Sequence, residues 1–251
     1  MISLINFIHS DPLYLALKKK RGFSRSTPRK NYKLLMDGKV DAAMISLIPF
    51  LKAHKDLELA EAATIYSESV SLSTILISKG QSARKEMRIA ITEHTDTTSL
   101  YLEMILKTLG ISYKLSESEY RDAESLLSEE DYALVIGDEA LQTYNSGNRL
   151  IFDIGDMFNR LFSLCPVFSV TARKSELPPT DGITILTQAA YDSLHFIEAS
   201  VKKNSENYPE DLLRKYYNLI KYDYNSRVNS SIKFVRNYLY SSVLKDKSTN
   251  V

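Results

Sequence analysis

The chain has 251 residues, of which 44% are hydrophobic and 25% are charged, and this composition is typical of a folded globular protein. Its 32 Lys and Arg residues nearly balance 31 Asp and Glu residues, so the formal net charge of +1 gives no overall field that favours nucleic acid or an anionic membrane surface. The single cysteine, Cys165, excludes an internal disulfide, and the four histidines have no metal-ligand spacing. We therefore expect no metal and no other cofactor.

No basic segment precedes the first apolar run, and no run reaches the roughly 18 apolar residues that a membrane-spanning helix needs. We therefore expect a cytoplasmic protein with neither membrane nor nucleic acid as a partner. The sequence also lacks the GxGxxG, P-loop, GxSxG and HExxH fingerprints. Cys165 precedes a proline and an apolar run, and we interpret it as a buried small hydrophobe rather than a nucleophile.

Short apolar runs alternate with amphipathic segments along most of the chain, a pattern that predicts an α/β protein. The first strand is predicted over residues 2–8. A helix is predicted to follow it, beginning at Pro12 with Ser10 or Asp11 as its cap, because proline is favoured in the first helical turn and short oxygen-bearing side chains are favoured just before it.

A second helix follows the same rules, with Thr27 as its cap, Pro28 in its first turn and Gly38 at its end. The next predicted elements are a strand over 40–46 and a short helix over 47–54. A β-rich stretch over 70–78 then leads into a polar turn. After that turn the predicted elements are strands over 88–92, 111–115, 132–136 and 167–172, and helices over 97–109, 117–127 and much of 187–244.

Two α/β blocks joined by an extended connection predict two lobes that face a cleft. We divide the chain into a first lobe of residues 1–80 and 166–251 and a second lobe of residues 81–165. Ligands of such proteins occupy the cleft at the carboxyl ends of the strands, so the residues at those ends are the candidates for binding.

The first two candidate clusters stand at predicted helix starts. His9 and Ser10 precede the helix at Pro12, and three hydroxyl residues, Thr97, Thr98 and Ser99, begin the helix over 97–109. Free backbone N–H groups and the helix dipole favour an anion at such a position. The alternative interpretation is structural: the same side chains cap the helices, and His9 is a partly buried residue.

Two further candidates lie on predicted strands. Ser71 and Ser73 alternate with apolar residues, so a strand would present both hydroxyls on one face, either to the cleft or as the polar face of an edge strand. Gly137 follows a buried strand in the sequence IGDEAL, where it permits close approach of the backbone, although such junctions are also ordinary. The many tyrosines near the end, Tyr216 among them, are interpreted as packing residues with polar tips.

Several segments, in chain order, match the motifs of one known family. They are FIHSDPL at 7–13 against the family's YLNSLPL, DGKVDAAMISL at 37–47 against EGELDVALIPS, STILIS at 73–78 against SVLLFS, Thr98-Ser99 against TS, LVIGDEAL at 134–141 against LLIGDEAL, and FDIG at 152–155 against YDLG. Taken together they resemble the chorismate dehydratase family of menaquinone biosynthesis, which acts in the futalosine pathway and is related to 1,4-dihydroxy-6-naphthoate synthase. The resemblance covers the whole chain.

This resemblance implies a periplasmic-binding-protein-like fold of type II, in which two α/β lobes close on a dicarboxylate. Chorismate would lose its ring hydroxyl and a neighbouring ring proton to give 3-[(1-carboxyvinyl)oxy]benzoate, and aromatisation would drive the elimination. The implied partner is a chorismate-like small carboxylate, and a homodimer is compatible with the sequence. The predicted catalytic residue is His9, and the predicted substrate-binding residues are Ser10, Ser46, Ser73, Thr97, Thr98, Ser99 and Gly137.

The sequence departs from the family pattern at three places. His9 replaces the family's asparagine, and an imidazole could still assist loss of water as a general acid. The pocket-lining segment TGLPFVF becomes FSLCPVF at 162–168, and Leu72 stands where an arginine is common. The competing hypothesis is therefore a non-catalytic binding protein for a small carboxylate on the same fold.

Overall fold

The computed structural model describes residues 1–80, 82–93, 95–146 and 149–248. The strands are β1 (Ile2–Ile5), β2 (Phe23–Ser26), β3 (Ala42–Ser46), β4 (Leu57–Ser67), β5 (Thr74–Ser78), β6 (Glu86–Thr92), β7 (Ser112–Ser118), β8 (Tyr132–Ile136), β9 (Leu150–Asp153), β10 (Val167–Lys174) and β11 (Ile220–Lys221). The α-helices are α1 (Asp11–Leu17), α2 (Pro28–Met36), α3 (Leu47–Lys52), α4 (Asp96–Thr108), α5 (Ala123–Glu129), α6 (Gly137–Ser146), α7 (Ile154–Phe162), α8 (Asp181–Asp192), α9 (Ile197–Asn204), α10 (Glu210–Leu219) and α11 (Ser226–Ser248).

The strands form two sheets. The first has the order β11-β4-β10-β3-β1-β2, with β1 parallel to β2 and β3, and β10 antiparallel to β3 and β4. Ser169 on β10 lies opposite Ser46 on β3, so the beginning of β10 shares an edge with the end of β3. This edge collects the carboxyl ends of β1 and β3, which is where ligands bind in open α/β sheets.

The second sheet has the order β7-β6-β8-β5-β9, with β6 parallel to β7 and β8. The strand β5 runs antiparallel to both of its neighbours, with Thr74 opposite Ile136 and Ile75 opposite Asp153. The beginning of β5 therefore lies at the same edge as the ends of β8 and β9. Each sheet thus has one edge that gathers several strand ends.

The chain passes from the first sheet to the second between β4 and β5, and it returns between α7 and β10. Asp153 ties the first crossing to α7, because its carboxylate accepts hydrogen bonds from the backbone N–H groups of Ser71, Leu72 and Asp156. Gly155 lies against the same crossing, and a Cβ on it would stand 2.5 Å from the carbonyl oxygen of Ser69. These contacts fix the path of the crossing.

The pairing of β5 concerns the predicted boundary between the two lobes. Because β5 pairs with β8 and β9, residues 74–78 belong to the second sheet, although the predicted first lobe extends to residue 80. The division into lobes stays a prediction, and the sheets place the crossings at 68–73 and 163–166.

One apolar cluster connects the two sheets. Tyr101 on α4 is fully buried, packs against Phe158 on α7 with ring centroids 4.5 Å apart, and donates a 2.6 Å hydrogen bond to the carbonyl of Val167 on β10. Val228 and Val235 on α11 belong to the same cluster. The helix α11 therefore contributes to the core that both sheets share.

The predicted elements are only partly confirmed. The cap of α2 is confirmed, since Lys30 N–H donates to the Thr27 hydroxyl at 3.3 Å, and Gly38 follows this helix with a φ of 67°. The strand predicted over 2–8 ends at residue 5 and is followed by a short 3-10 helix. Sequence reasoning missed β2 and β4, because the polar FSRS and the glutamate-containing LELAEAATIYS lack the continuous apolar run of a buried strand.

Candidate functional site

The candidate site lies where the strand-end edges of the two sheets meet. Two hydrogen bonds cross between them: the Ile8 N–H group faces Asp138 Oδ1 at 3.4 Å, and the Ile48 N–H group donates to Thr97 Oγ1 at 3.1 Å. Ile8 and Ile48 follow strands of the first sheet, whereas Thr97 and Asp138 follow strands of the second. The cleft between the sheets is therefore closed at both places.

His9 lies in the 3-10 helix between β1 and α1. Its backbone carbonyl accepts a 2.6 Å hydrogen bond from the Tyr222 hydroxyl, whereas Nε2 of its ring is inaccessible to solvent and has no hydrogen-bond partner. Burial, together with the nearby Arg25 and against the opposing effect of Asp11, lowers the pKa of His9 from 6.5 to about 4. The imidazole is therefore neutral at pH 7.

Neither Ser10 nor Asp11 caps α1, so that prediction is wrong. Ser10 has a φ of −91° and a ψ of 0°, because the 3-10 helix leads directly into α1, and this conformation differs from the extended backbone that lets a capping side chain fold back. Its Oγ is buried and has no partner. The Asp11 carboxylate instead binds Arg25 at 2.7 Å and Lys203 and Asn204 at 2.8 Å each.

Arg25, on the missed strand β2, holds the His9 segment in place. Its guanidinium donates to the carbonyl of Phe7 at 2.9 Å and to that of Ile5 at 3.4 Å, in addition to its ion pair with Asp11. These three acceptors lie on both sides of the turn from β1 into α1. The position of His9 therefore depends on a residue that comes 16 positions later in the chain.

The hydroxyl residues at the start of α4 are buried, as a site there requires, but they do not cap the helix. Thr97 Oγ1 accepts the hydrogen bond from Ile48 across the cleft, and the Thr95 hydroxyl donates to the carbonyl of Thr92. Ser99 Oγ is buried without a partner. The capping interpretation is thus wrong for this helix also. Ser46, at the start of α3, lies in the same part of the cleft, and its side chain makes no capping hydrogen bond.

Ser71 and Ser73 do not alternate on a strand, because β5 begins only at Thr74 and Leu72 has a φ of 60°. Ser71 is used structurally: its hydroxyl lies 2.6 Å from that of Thr74 and donates to the Asp153 carboxylate. Ser73 faces the site. Its carbonyl accepts a 2.8 Å hydrogen bond from Gly137 N–H, and its side chain lies close to the Tyr216 hydroxyl without a bond of normal geometry.

Sequence reasoning missed three residues of the candidate site: Arg25, Asp138 and Tyr216. The Tyr216 hydroxyl on α10 is fully buried without a hydrogen-bond partner, and burial holds the pKa of Tyr216 well above its usual range, so the hydroxyl keeps its proton. Burial also raises the pKa of the Asp138 carboxyl, against the lowering effect of the Ile8 N–H group. Asp138 stood within the quoted IGDEAL segment, but no sequence signal separates Tyr216 from the other late tyrosines.

The predicted site residues thus fall into two groups. His9, Ser10, Ser73 and Gly137 lie around the contact between Ile8 and Asp138, where the Phe7 ring stands 4.0 Å from the Cβ position of Gly137. Ser46 and Thr97–Ser99 lie around the contact between Ile48 and Thr97. The first group has three unpartnered polar atoms nearby, on His9, Ser10 and Tyr216, and it is the stronger candidate for ligand binding.

A surface groove of about 410 Å³ lies beside the second group, at the start of α4. Its charged lining residues are Lys52, Asp96, Glu103 and Glu117. Three carboxylates against one ammonium group disfavour a dicarboxylate at this place. In the described part of the chain no three His, Cys, Asp or Glu side chains form a group that could hold a metal ion, and no helix is long and apolar enough to cross a membrane.

Comparison with solved structures identifies the fold. Protein AF1704 from Archaeoglobus fulgidus is similar with a TM-score of 0.76 at 11% identity over 97% of both chains. The periplasmic aliphatic sulphonate binding protein SsuA from Escherichia coli has a TM-score of 0.70 at 13% identity, over 97% of this chain and 87% of its own. The CA3427 gene product of Candida albicans, which exhibits the generic periplasmic binding protein fold, has a TM-score of 0.64 at 11% identity, over 94% and 88% of the two chains.

The fold implied by the sequence resemblance is therefore confirmed: the chain has a periplasmic-binding-protein-like fold with two α/β lobes around a cleft. At these identities the likeness to solved structures concerns the fold alone. The family model for menaquinone biosynthesis matches residues 2–241, which is nearly the whole chain. The chain belongs to the menaquinone biosynthesis family.

Proposed function

We propose that the protein is a chorismate-dehydratase-like lyase, which eliminates water from chorismate to give 3-[(1-carboxyvinyl)oxy]benzoate. The observation that carries this proposal is the set of buried polar atoms without partners on His9, Ser10 and Tyr216. Each such group costs about 1–3 kcal/mol when it is left unsatisfied. A polar ligand that bonds to these atoms recovers this energy, so their arrangement favours ligand binding.

The chemistry of these groups suits a carboxylate-bearing ring. The Ser10 and Tyr216 hydroxyls and a ring N–H of His9 can all donate to carboxylate oxygens, and the buried setting strengthens such bonds. Among structures of similar fold, SsuA from Escherichia coli is a sulphonate-binding protein, and SsuA from Xanthomonas axonopodis was solved with MOPS. Small organic anions are thus bound by proteins of similar fold, which supports a small carboxylate as the partner here.

The replacement of the family's asparagine by His9 is compatible with this function. A neutral imidazole offers one hydrogen-bond donor and one acceptor, whereas the asparagine amide offers two donors and an acceptor oxygen, so His9 keeps one group of each kind. The altered segment at 162–168 bears less on the site than the sequence suggests. Phe162 packs between Phe158 and Phe234, and the Cys165 thiol contacts the Ser231 hydroxyl, so both residues contribute to the core at α11.

The competing function is a non-catalytic binding protein for a small carboxylate. The observation in its favour is the lowered pKa of His9, about 4, because a neutral imidazole at pH 7 is a poor general acid. Both functions use the same cleft, and both place the protein in the cytoplasm with a small-molecule partner. They differ only in turnover.

The test is incubation of the purified protein with chorismate, with the product followed by absorbance and mass spectrometry. Product formation that is lost in His9→Ala supports the lyase. The control is His54→Ala, because His54 Nδ1 lies 2.9 Å from the Tyr240 hydroxyl on α11 and His54 is not one of the site residues named above. Chorismate binding without product supports the binding protein. Neither binding nor product refutes both functions and points to another ligand.

A further inference from the structure

We propose that Tyr222 is a positioning residue of the site, which holds His9 in place through the backbone of the short 3-10 helix. This inference rests on the proposed function, because it concerns the placement of a residue that the proposed lyase uses. The hydrogen bond that carries it joins two residues 213 positions apart in the chain. It gives the segment between β11 and α11 a role at a site that is distant from it in sequence.

The His9 carbonyl lacks the donor that a 3-10 helix would supply. In such a helix a carbonyl accepts from the N–H group three residues ahead, and that residue here is Pro12, which has no N–H group. The Tyr222 hydroxyl instead donates to this carbonyl at 2.6 Å. Tyr222 is buried, and burial keeps its pKa well above the usual range, so the hydroxyl keeps the proton that it donates.

The first sheet in turn fixes the backbone of Tyr222. This residue directly follows β11, which pairs with the end of β4. Its carbonyl accepts a 2.7 Å hydrogen bond from the N–H group of Thr64 on β4. The Thr64 hydroxyl also donates at 2.9 Å to the carbonyl of the next residue, Asp223. The phenol ring therefore extends from a backbone that β4 holds, and its hydroxyl can define the position of the His9 carbonyl.

Two other side chains bind the backbone beside His9. Arg25 donates at 2.9 Å to the carbonyl two residues before it, and Asp138 accepts from the Ile8 N–H group at 3.4 Å. Asp138 follows a strand of the second sheet, so a hinge opening of the cleft would break its contact. Tyr222 and His9 both follow strands of the first sheet, and their bond can persist when the cleft opens. It is also the shortest of the three bonds.

The place of the His9 ring depends on this backbone. Nε2 of the ring is buried without a hydrogen-bond partner, and the ring packs against that of Phe7, with centroids 5.6 Å apart. A shift of the backbone would therefore move the ring relative to a bound ligand. A displacement of about 1 Å at a reacting group can lower a rate by about 100-fold.

Tyr222→Phe removes the donor and keeps the buried ring. The matched control is Tyr132→Phe, because Tyr132 is also buried and its hydroxyl donates at 2.8 Å to the backbone carbonyl of Ser82. Tyr132 begins β8, at the opposite end of this strand from Gly137. A second variant, Thr64→Val, removes the hydroxyl that anchors the Tyr222 segment and leaves the Tyr222 hydroxyl intact. Thermal melting checks that each variant is folded.

The first measurement is NMR of protein with labelled histidine rings, in which the His9 signals are identified by their loss in His9→Ala. Burial and Arg25 hold the pKa of His9 at about 4 against Asp11, so the wild-type signals should stay fixed between about pH 5.5 and pH 8. In Tyr222→Phe water reaches the ring, and the pKa should rise toward 6.5, so the signals should move with pH in this range. Tyr132→Phe should match the wild type.

The second measurement is steady-state kinetics with chorismate. We expect Tyr222→Phe to lower kcat by about 100-fold, because the His9 ring is displaced from the reacting atoms. KM should change less, since the Tyr216 hydroxyl is unaffected. Thr64→Val should change kcat and the His9 signals in the same direction and to a smaller extent, whereas Tyr132→Phe should keep the wild-type kcat and KM.

Several results would overturn the inference. A folded Tyr222→Phe protein with wild-type His9 signals and kcat would show that Tyr222 only packs in the core. Equal changes in Tyr132→Phe would mark a general loss of stability instead of positioning. If Tyr222→Phe does not fold, unchanged His9 signals in Thr64→Val refute the inference, and altered ones support it. A wild type that forms no product refutes the lyase, whereas the NMR comparison, which needs no turnover, still decides whether Tyr222 positions His9.

Discussion

The ion pair between Asp11 and Arg25 offers the sharpest test of how the site is held together, and we predict that Asp11→Asn destabilises the protein by about 3 kcal/mol. The Asp11 side chain is 2% exposed and that of Arg25 is 14% exposed, so this pair is largely removed from water. Breaking a buried pair by neutralising one partner costs about 3–5 kcal/mol, because the other charge is left buried without compensation.

The low end of that range applies here for two reasons. Arg25 keeps two backbone carbonyl acceptors, on Ile5 and Phe7, after the carboxylate is neutralised. Lys203, the second cation on Asp11, is 47% exposed, and an exposed pair contributes at most about 1 kcal/mol. For a chain of this size a loss of about 3 kcal/mol corresponds to a decrease in Tm of about 6–12 °C.

The assay is urea unfolding followed by circular dichroism, with the free energy of unfolding and the m-value fitted together. The control is Glu58→Gln, since Glu58 also pairs with an arginine, Arg173, but is 53% exposed and should cost less than about 1 kcal/mol. A loss below about 1 kcal/mol for Asp11→Asn, or equal losses for the two variants, would refute the view that the buried pair holds the His9 segment.

Three further predictions concern Asp11, Gly155 and Tyr216. The contacts of Asp11 lower its pKa below the ordinary value of 3.8. Its charge therefore stabilises the protein above pH 3.8, and this contribution is lost as pH falls through the lowered pKa. The difference in unfolding free energy between wild type and Asp11→Asn should shrink below pH 3.8. Gly155→Ala should cost about 1–3 kcal/mol in urea unfolding, because its Cβ would stand 2.5 Å from the Ser69 carbonyl oxygen; an unchanged midpoint would contradict this packing. Tyr216→Phe should leave the empty protein as stable or up to about 1 kcal/mol more stable, since the lost hydroxyl has no partner, but should weaken chorismate binding by about 5- to 15-fold in calorimetry; unchanged affinity would remove Tyr216 from the site.

The sequence predicted the parts of the fold that local chemistry determines. Thr27 and Pro28 begin α2, and Gly38 follows its end, because capping, a fixed φ and a left-handed backbone depend only on neighbouring residues. The segment IGDEAL was correctly expected at the end of a buried strand. The α/β class and the family were also predictable, since alternation of elements and ordered motifs are properties of the chain itself.

Local chemistry was insufficient where distant groups compete for a side chain. Asp11 is a plausible helix cap by sequence, yet in the fold Arg25, Lys203 and Asn204 bind it, and the last two lie nearly 200 residues away along the chain. Charged partners offer a carboxylate stronger hydrogen bonds than a backbone N–H group does, so the tertiary contacts prevail over the cap.

The sequence by itself therefore determined the class, the family and the segments that end at the cleft. Only the tertiary structure decided which polar atoms in those segments keep a partner: Thr97 finds one across the cleft, whereas Ser10 and Tyr216 do not. The physical reason is that burial and hydrogen bonding are set by which elements meet. Tyr216 lies close to Ser73 only because the fold brings α10 to a segment that is far from it in the sequence. The same burial lowers the pKa of His9.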